Sequence, residues 1–135
     1  MKISTFVALL VAMTAISGCQ TTKEATNLAT LGVDFQFEKK HGCKRISPPF
    51  RISAIPAGTK YLEFAMTDLD YVTFNHGGGV VAYSGSGNIP EGALKSYRGP
   101  CPPEEHSYEM VVRALNDKKD LILGEGKATR NYCCR

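Results

Sequence analysis

HSYEMVVRAL, residues His106–Leu115, is the stretch that decides the fold. It reads as the clearest β-strand of the chain, and period-two geometry sets His106 and Tyr108 on one of its faces. NDKKD (Asn116–Asp120) follows as a polar turn, and Leu121–Ala128 returns as a last strand weakened by Gly124 and Gly126. Upstream, Leu62, Phe64 and Met66 alternate with Glu63, Ala65 and Thr67 as far as Asp68. Phe50-Arg51-Ile52-Ser53 alternates again, and Val33, Phe35 and Phe37 alternate with Asp34, Gln36 and Glu38. Val80–Tyr83 is a further run behind a His76-Gly77-Gly78-Gly79 loop. Breakers separate these runs: SPP at 47–49, PAGT at 56–59, SGSGN at 84–88 and the Gly/Pro-dominated stretch Tyr97–Glu105. Glu91–Ser96 holds at most a turn or two of helix. The expectation is an all-β domain, a β-rich sandwich or partly open barrel with little helix.

A length of 135 residues points to one domain, which excludes most two-domain enzymes and any long solenoid. With 43% apolar and 21% charged residues the composition is globular, not disordered. A formal charge of +3 is too weak to argue for a nucleic-acid partner. Met1-Lys2 is a short positive start, and TFVALLVAMTAI (Thr5–Ile16) is shorter than the about 20 residues a membrane span takes. It reads as the apolar region of a secretory signal. Ile16-Ser17-Gly18-Cys19 then resembles the bacterial lipoprotein cleavage box. That resemblance implies a signal peptide over residues 1–18 and acyl chains, palmitate among them, on Cys19 as the membrane anchor. By the same resemblance to Gram-negative lipoproteins, Gln20, a residue other than Asp, implies the outer membrane. Residues 19–30, small and polar, read as a lipidated tether, and residues 31–135 as the folded domain.

Several residues could carry chemistry. Asp68 and Asp70 are spaced to share one face of a strand end, as are His106 and Tyr108. GPCPP (residues 99–103) just before His106 is stiff and poor in N–H donors. A rigid wall beside His and Tyr, facing Asp, suits a small anion, and the carboxylate would raise the His pKa and keep the ring charged. The commoner roles are turn capping for Asp68 and Asp70 and an exposed strand face for His106 and Tyr108; spacing alone does not choose. Catalytic readings fail more cheaply. SGSG at 84–87 lacks a nucleophile elbow, and the glycines at 77–79 are followed by no Lys-Ser/Thr. Asp68 and Asp70 on one strand do not straddle a substrate, and no nucleophile accompanies them. No enzyme and no cofactor is expected. No metal is expected either, since no Cys-x-x-Cys spacing supports zinc on the cysteines with His41, His76 or His106. Five cysteines less a lipidated Cys19 leave Cys43, Cys101, Cys133 and Cys134, an even set for an oxidising compartment. A bond between adjacent Cys133 and Cys134 would be strained. Either each reaches one body cysteine, or Cys43 pairs with Cys101 and the tail cysteines do something else.

The order of short motifs from Cys43 to Asn116 resembles the phosphatidylethanolamine-binding protein family, also called Raf kinase inhibitor-like proteins, in its bacterial branch. Ile46–Phe50 (ISPPF) is similar to its SPPL-type segment, and Ile55–Lys60 (IPAGTK) to its VPAGTK turn. Phe64–Asp70 (FAMTDLD) is similar to its strand ending in Asp-Pro-Asp, and Ile89–Ala93 (IPEGA) to the same segment there. Gly99–Pro103 followed by His106-Ser107-Tyr108 resembles its GPCPP…HRY signature, and Ala114-Leu115-Asn116 stands where it has ALD. The resemblance implies a β-rich sandwich with a small anion pocket taking phosphate-like or phosphoethanolamine-like groups. Carried over residue by residue, the pocket comprises Asp68, Asp70, His106, Tyr108 and the wall prolines Pro102 and Pro103. His76 matches the family's central His in a changed setting, with Asn75 before it and three glycines after. Leu69 replaces the proline of Asp-Pro-Asp and Ser107 the arginine of HRY, which implies a retained but reshaped pocket. Bacterial members carry cysteines at positions like 43 and 101, so the resemblance favours that pair. Members that inhibit kinases or serine proteases imply an alternative to a binding module: an interaction or inhibitor module docking on another envelope protein or protease.

Overall fold

The alternating runs form the strands that their pattern dictates. A computed structural model describes residues 22–134. Its strands are β1 (Lys23–Thr30), β2 (Gly32–Phe35), β3 (Phe50–Ser53), β4 (Tyr61–Asp68), β5 (Asn75–Ala82), β6 (Asn88–Ile89), β7 (His106–Leu115) and β8 (Leu121–Tyr132). They make a five-stranded sheet in the order β1-β8-β7-β4-β5 and a three-stranded sheet in the order β2-β3-β6, neither closed into a barrel. Among the described residues the only helical element is a 3-10 turn, Lys39–His41, and no helix is long and apolar enough to cross a membrane.

β7 lies at the centre of the larger sheet. Its Tyr108, Met110, Val112 and Ala114 are buried on one face, against Leu62, Phe64 and Met66 of β4. The smaller sheet supplies Phe35, Phe50, Ile52 and Ile89 from the other side, and the Phe50 and Phe64 rings meet at 4.9 Å. Each large side chain buried this way stabilises the fold by about 1.5–3 kcal/mol. The inward-facing register of β4 continues one step past Met66 onto Asp68, and that of β7 runs back past Met110 onto Tyr108 and His106. The apolar core thus passes into ionisable groups at one end of the sheet.

The sheet differs from the sequence expectation at its edge. Residues 23–30, expected to be tether, form β1, which lies parallel to β8 with Lys23 opposite Leu121. The Lys23 N–H donates to the Asp120 carbonyl at 2.8 Å and the Leu31 N–H to the Glu125 carbonyl at 3.0 Å. Gly124 and Gly126 admit this approach: a Cβ at Gly126 would meet the Leu31 carbonyl oxygen, and one at Gly124 would stand 3.0 Å from the Ala29 carbonyl oxygen. The glycines that weaken β8 as an isolated strand are what let the chain dock beside it. β8 also runs four residues beyond Ala128, and residues 76–79, expected to be a loop, lie within β5, where Gly78 pairs with Ala65 and Gly79 with Phe64 of β4. The expected signal segment 1–18 and Cys19 lie outside the described residues.

Cys43 and Cys101 form a disulfide with Cα atoms 4.6 Å apart, and Cys133 and Cys134 are bonded to each other at the end of β8. His41 is fully buried and is an anchor of the fold. Its Nδ1 accepts the Glu38 N–H at 2.9 Å, so Nε2 carries the proton donated to Glu91 at 2.7 Å. His41→Ala should lower unfolding stability by about 2 kcal/mol, combining a cavity with a lost partner for the Glu38 N–H. Urea denaturation measures this, and an unchanged midpoint would remove His41 from the structural framework.

Candidate functional site

Asp68 is the last residue of β4, and its two carboxylate oxygens do different work. Oδ1 accepts the backbone N–H groups of Asp70 at 2.9 Å and Tyr71 at 3.0 Å, which turns the chain at the strand end. Oδ2 accepts a hydrogen bond from His106 Nδ1 at 2.8 Å. The capping role and the pocket role therefore coexist in one side chain. Burial raises the Asp68 pKa, but the His106 contact and the two backbone donors outweigh it and hold the carboxyl below its ordinary value. For His106 the hydrogen bond to Asp68 raises the pKa against partial desolvation, with the charges of Asp68, Asp70 and Glu104 adding to the rise.

Asp70 secures the turn from the other side. Its Oδ2 accepts the Ser107 N–H at 2.7 Å, and the Ser107 carbonyl accepts the Leu69 N–H at 2.8 Å. His76 enters from β5, buried. Its Nδ1 donates to the Arg98 carbonyl at 2.8 Å, and its Nε2 stands 3.9 Å from Asp68 Oδ2. The His76 ring packs edge-on to Tyr108 at 5.3 Å, and His106 stacks on Tyr108 at 6.3 Å. Burial, then the nearby Asp68 carboxylate, push the Tyr108 phenol well above its ordinary pKa. The fold thus gathers Asp68, Asp70, His76, His106 and Tyr108 at one sheet end. Pro102 is buried and Pro103 exposed in the loop between Cys101 and His106.

Sequence reasoning missed the Arg98 carbonyl and Ser107 backbone as the groups that hold the imidazole and the turn. Backbone partners leave no residue-type signal. Phe74 was missed as well; its ring lies 4.6 Å from that of His76. Donor atoms of Asp68, Asp70 and His106 lie within 4.8 Å of one another, a spacing that also suits a cation, which would take the place of the proton that His106 Nδ1 shares with Asp68 Oδ2. A cleft of about 460 Å³ lined by Phe35, Phe50, Arg51 and Pro90 lies on the smaller sheet, away from this cluster.

Two facing open sheets with an Asp-His-His-Tyr cluster at one end define a class of β-sandwich. No family model and no curated protein matches the sequence. Among solved structures the chain is similar to a putative phosphatidylethanolamine-binding protein homolog, CT736, from Chlamydia trachomatis. The TM-score is 0.57 and the identity 21%, over 82% of this chain and 100% of that one. It is also similar to E. coli YbcL, described as a new member of the mammalian family, with TM-score 0.57 and 16% identity over 81% of this chain and 100% of that one. The chain has the fold of the bacterial phosphatidylethanolamine-binding proteins.

Proposed function

We propose that the protein is an envelope lipoprotein that binds a small phosphate-bearing ligand of the phospholipid-headgroup kind at the Asp68–His106 end. The observation that carries this reading is the 2.8 Å contact between Asp68 Oδ2 and His106 Nδ1. It fixes the imidazole, favours its charged form and leaves Nε2–H for an anion. Asp70 and Glu104 bring negative charge near His106, which suits the ammonium of a zwitterion such as phosphoethanolamine. Nothing in the cluster pairs a nucleophile with a base, so the reading is binding and not catalysis. Titration calorimetry with phosphate and phosphoethanolamine tests it: both should bind, the zwitterion more tightly, and absence of binding by either sinks the reading. For localisation, Cys19→Ser should block acylation and move the chain from the membrane to the soluble fraction; unchanged fractionation and no mass loss on delipidation would refute the lipoprotein. The docking alternative draws support from the exposed apolar loop 69–74 and is told apart by whether phosphoethanolamine competes with a captured envelope partner.

A further inference from the structure

Loop 69–74 follows Asp68 directly and ends two residues before His76, so it borders the candidate site. Leu69, Tyr71, Val72 and Phe74 are all exposed there, Val72 to 68%. The loop is pinned in place. The Leu69 N–H donates to Ser107, the Tyr71 N–H to Asp68, and the Phe74 N–H to the Tyr71 carbonyl at 3.1 Å. Apolar surface held in water costs about 25 cal/mol per Å², so an ordered apolar loop continuous with the Asp68–His106 cluster is poised for an occupant carrying both characters.

The chain enters the fold at the opposite end. Lys23 pairs with Leu121 beside the 116–120 turn, while His106 lies opposite Tyr132 at the far end of β8. The 10 residues of β7 separate that turn from His106 by about 30 Å. Cys19 precedes Lys23 by four positions, a reach of at most about 14 Å. A site reading the headgroups of its own leaflet would sit at the entry end with its apolar loop aimed the same way. The observed polarity is the reverse.

We propose that the site faces away from the bilayer that an acylated Cys19 occupies and takes its ligand from the aqueous side, with loop 69–74 packing on the apolar part of that ligand. This rests on the lipoprotein and anion-site readings above. The chain has no Trp, so a single indole can report each end. Full acylated chain carrying Val72→Trp or Lys118→Trp is reconstituted in vesicles of phosphatidylethanolamine and phosphatidylglycerol containing nitroxide-headgroup lipid. Emission should be quenched for Lys118→Trp, near the entry end, and unchanged for Val72→Trp. Equal quenching of the two overturns the orientation. Monomeric dihexanoyl phosphatidylethanolamine added to the solution should shift the Val72→Trp emission to the blue, while phosphoethanolamine binds without a shift. No shift with dihexanoyl lipid, in a chain that binds phosphoethanolamine, overturns the role of the loop. Failure of phosphoethanolamine itself to bind overturns the anion site and the ligand half with it, and leaves the quenching result to judge the orientation. An intact mass without acyl chains overturns the proposal together with the lipoprotein reading.

Discussion

Replacing Cys43 and Cys101 together by alanine is expected to lower the unfolding free energy by about 4 kcal/mol, the loop-closure entropy of the 58-residue separation the bridge spans. Such a loss is a large fraction of the about 5–15 kcal/mol that holds a typical domain together. The bridge does not act on an otherwise loose pair of segments. The Cys43 N–H donates to the Pro100 carbonyl at 2.8 Å and the Gly99 N–H to the Lys44 carbonyl at 2.7 Å. A Cβ at Gly99 would run into the His41 carbonyl oxygen, so only glycine lets the two segments come this close. The folded arrangement should therefore survive in the variant, and most of the loss should arise from a less constrained unfolded chain. Urea denaturation of the wild type and the double variant measures it. A loss below about 1 kcal/mol would mean that the unfolded chain is already constrained, or that the entropy account is wrong for this loop. The loop that the bridge holds runs through Pro102 and Pro103 into His106, so ligand affinity should also fall, by less than on removing the histidine itself.

What could be read from the sequence follows from where side chains meet the core. β4 and β7 were legible because Leu62, Phe64 and Met66, and Met110, Val112 and Ala114, must alternate to bury one face. β1 was not. Both its sides are largely exposed, its pairing is made by backbone groups, and the space for it comes from glycines nearly a hundred residues away. An edge strand of that kind carries no apolar period. β6 is two residues long, too short for any pattern to show. At the site, motif order brought Asp68, His106 and Tyr108 together before any geometry was known. The division of labour between the Asp68 oxygens was not legible, because a capping aspartate and a pocket aspartate look the same in a sequence. His41 was invisible as a structural anchor because its partner Glu91 lies 50 residues away.

His106→Ala should weaken phosphoethanolamine binding about ten- to a hundredfold, the loss of one charge-assisted hydrogen bond. Tyr108→Phe should cost less, since the phenol is neutral and buried. The pH dependence separates a bound imidazolium from a merely structural ring. The His106 pKa is raised above its ordinary 6.5, chiefly by the hydrogen bond to Asp68. Anion affinity should therefore be full below that value and fall as pH rises through the raised pKa. The stability that the His106–Asp68 contact contributes has the same upper limit, being present below pH 6.5 and lost through the folded-state pKa. Its lower limit comes from Asp68, whose lowered pKa means a contribution present above 3.8 and lost as pH falls through the folded value. Asp68→Asn distinguishes orientation from direct contact. The amide carbonyl can still cap the N–H groups of Asp70 and Tyr71, so the turn persists. The amide NH₂ then faces Nδ1 as a donor, which a protonated nitrogen cannot accept, so the ring is held neutral. Affinity at pH 7 should drop, and the pH at which binding is lost should move down, while Tyr108→Phe leaves that pH nearer its wild-type position. If His106→Ala binds phosphoethanolamine as the wild type does while remaining folded, the ligand lies elsewhere and the cluster is a strand-end clasp, holding Asp68 to His106 for the sake of the turn alone.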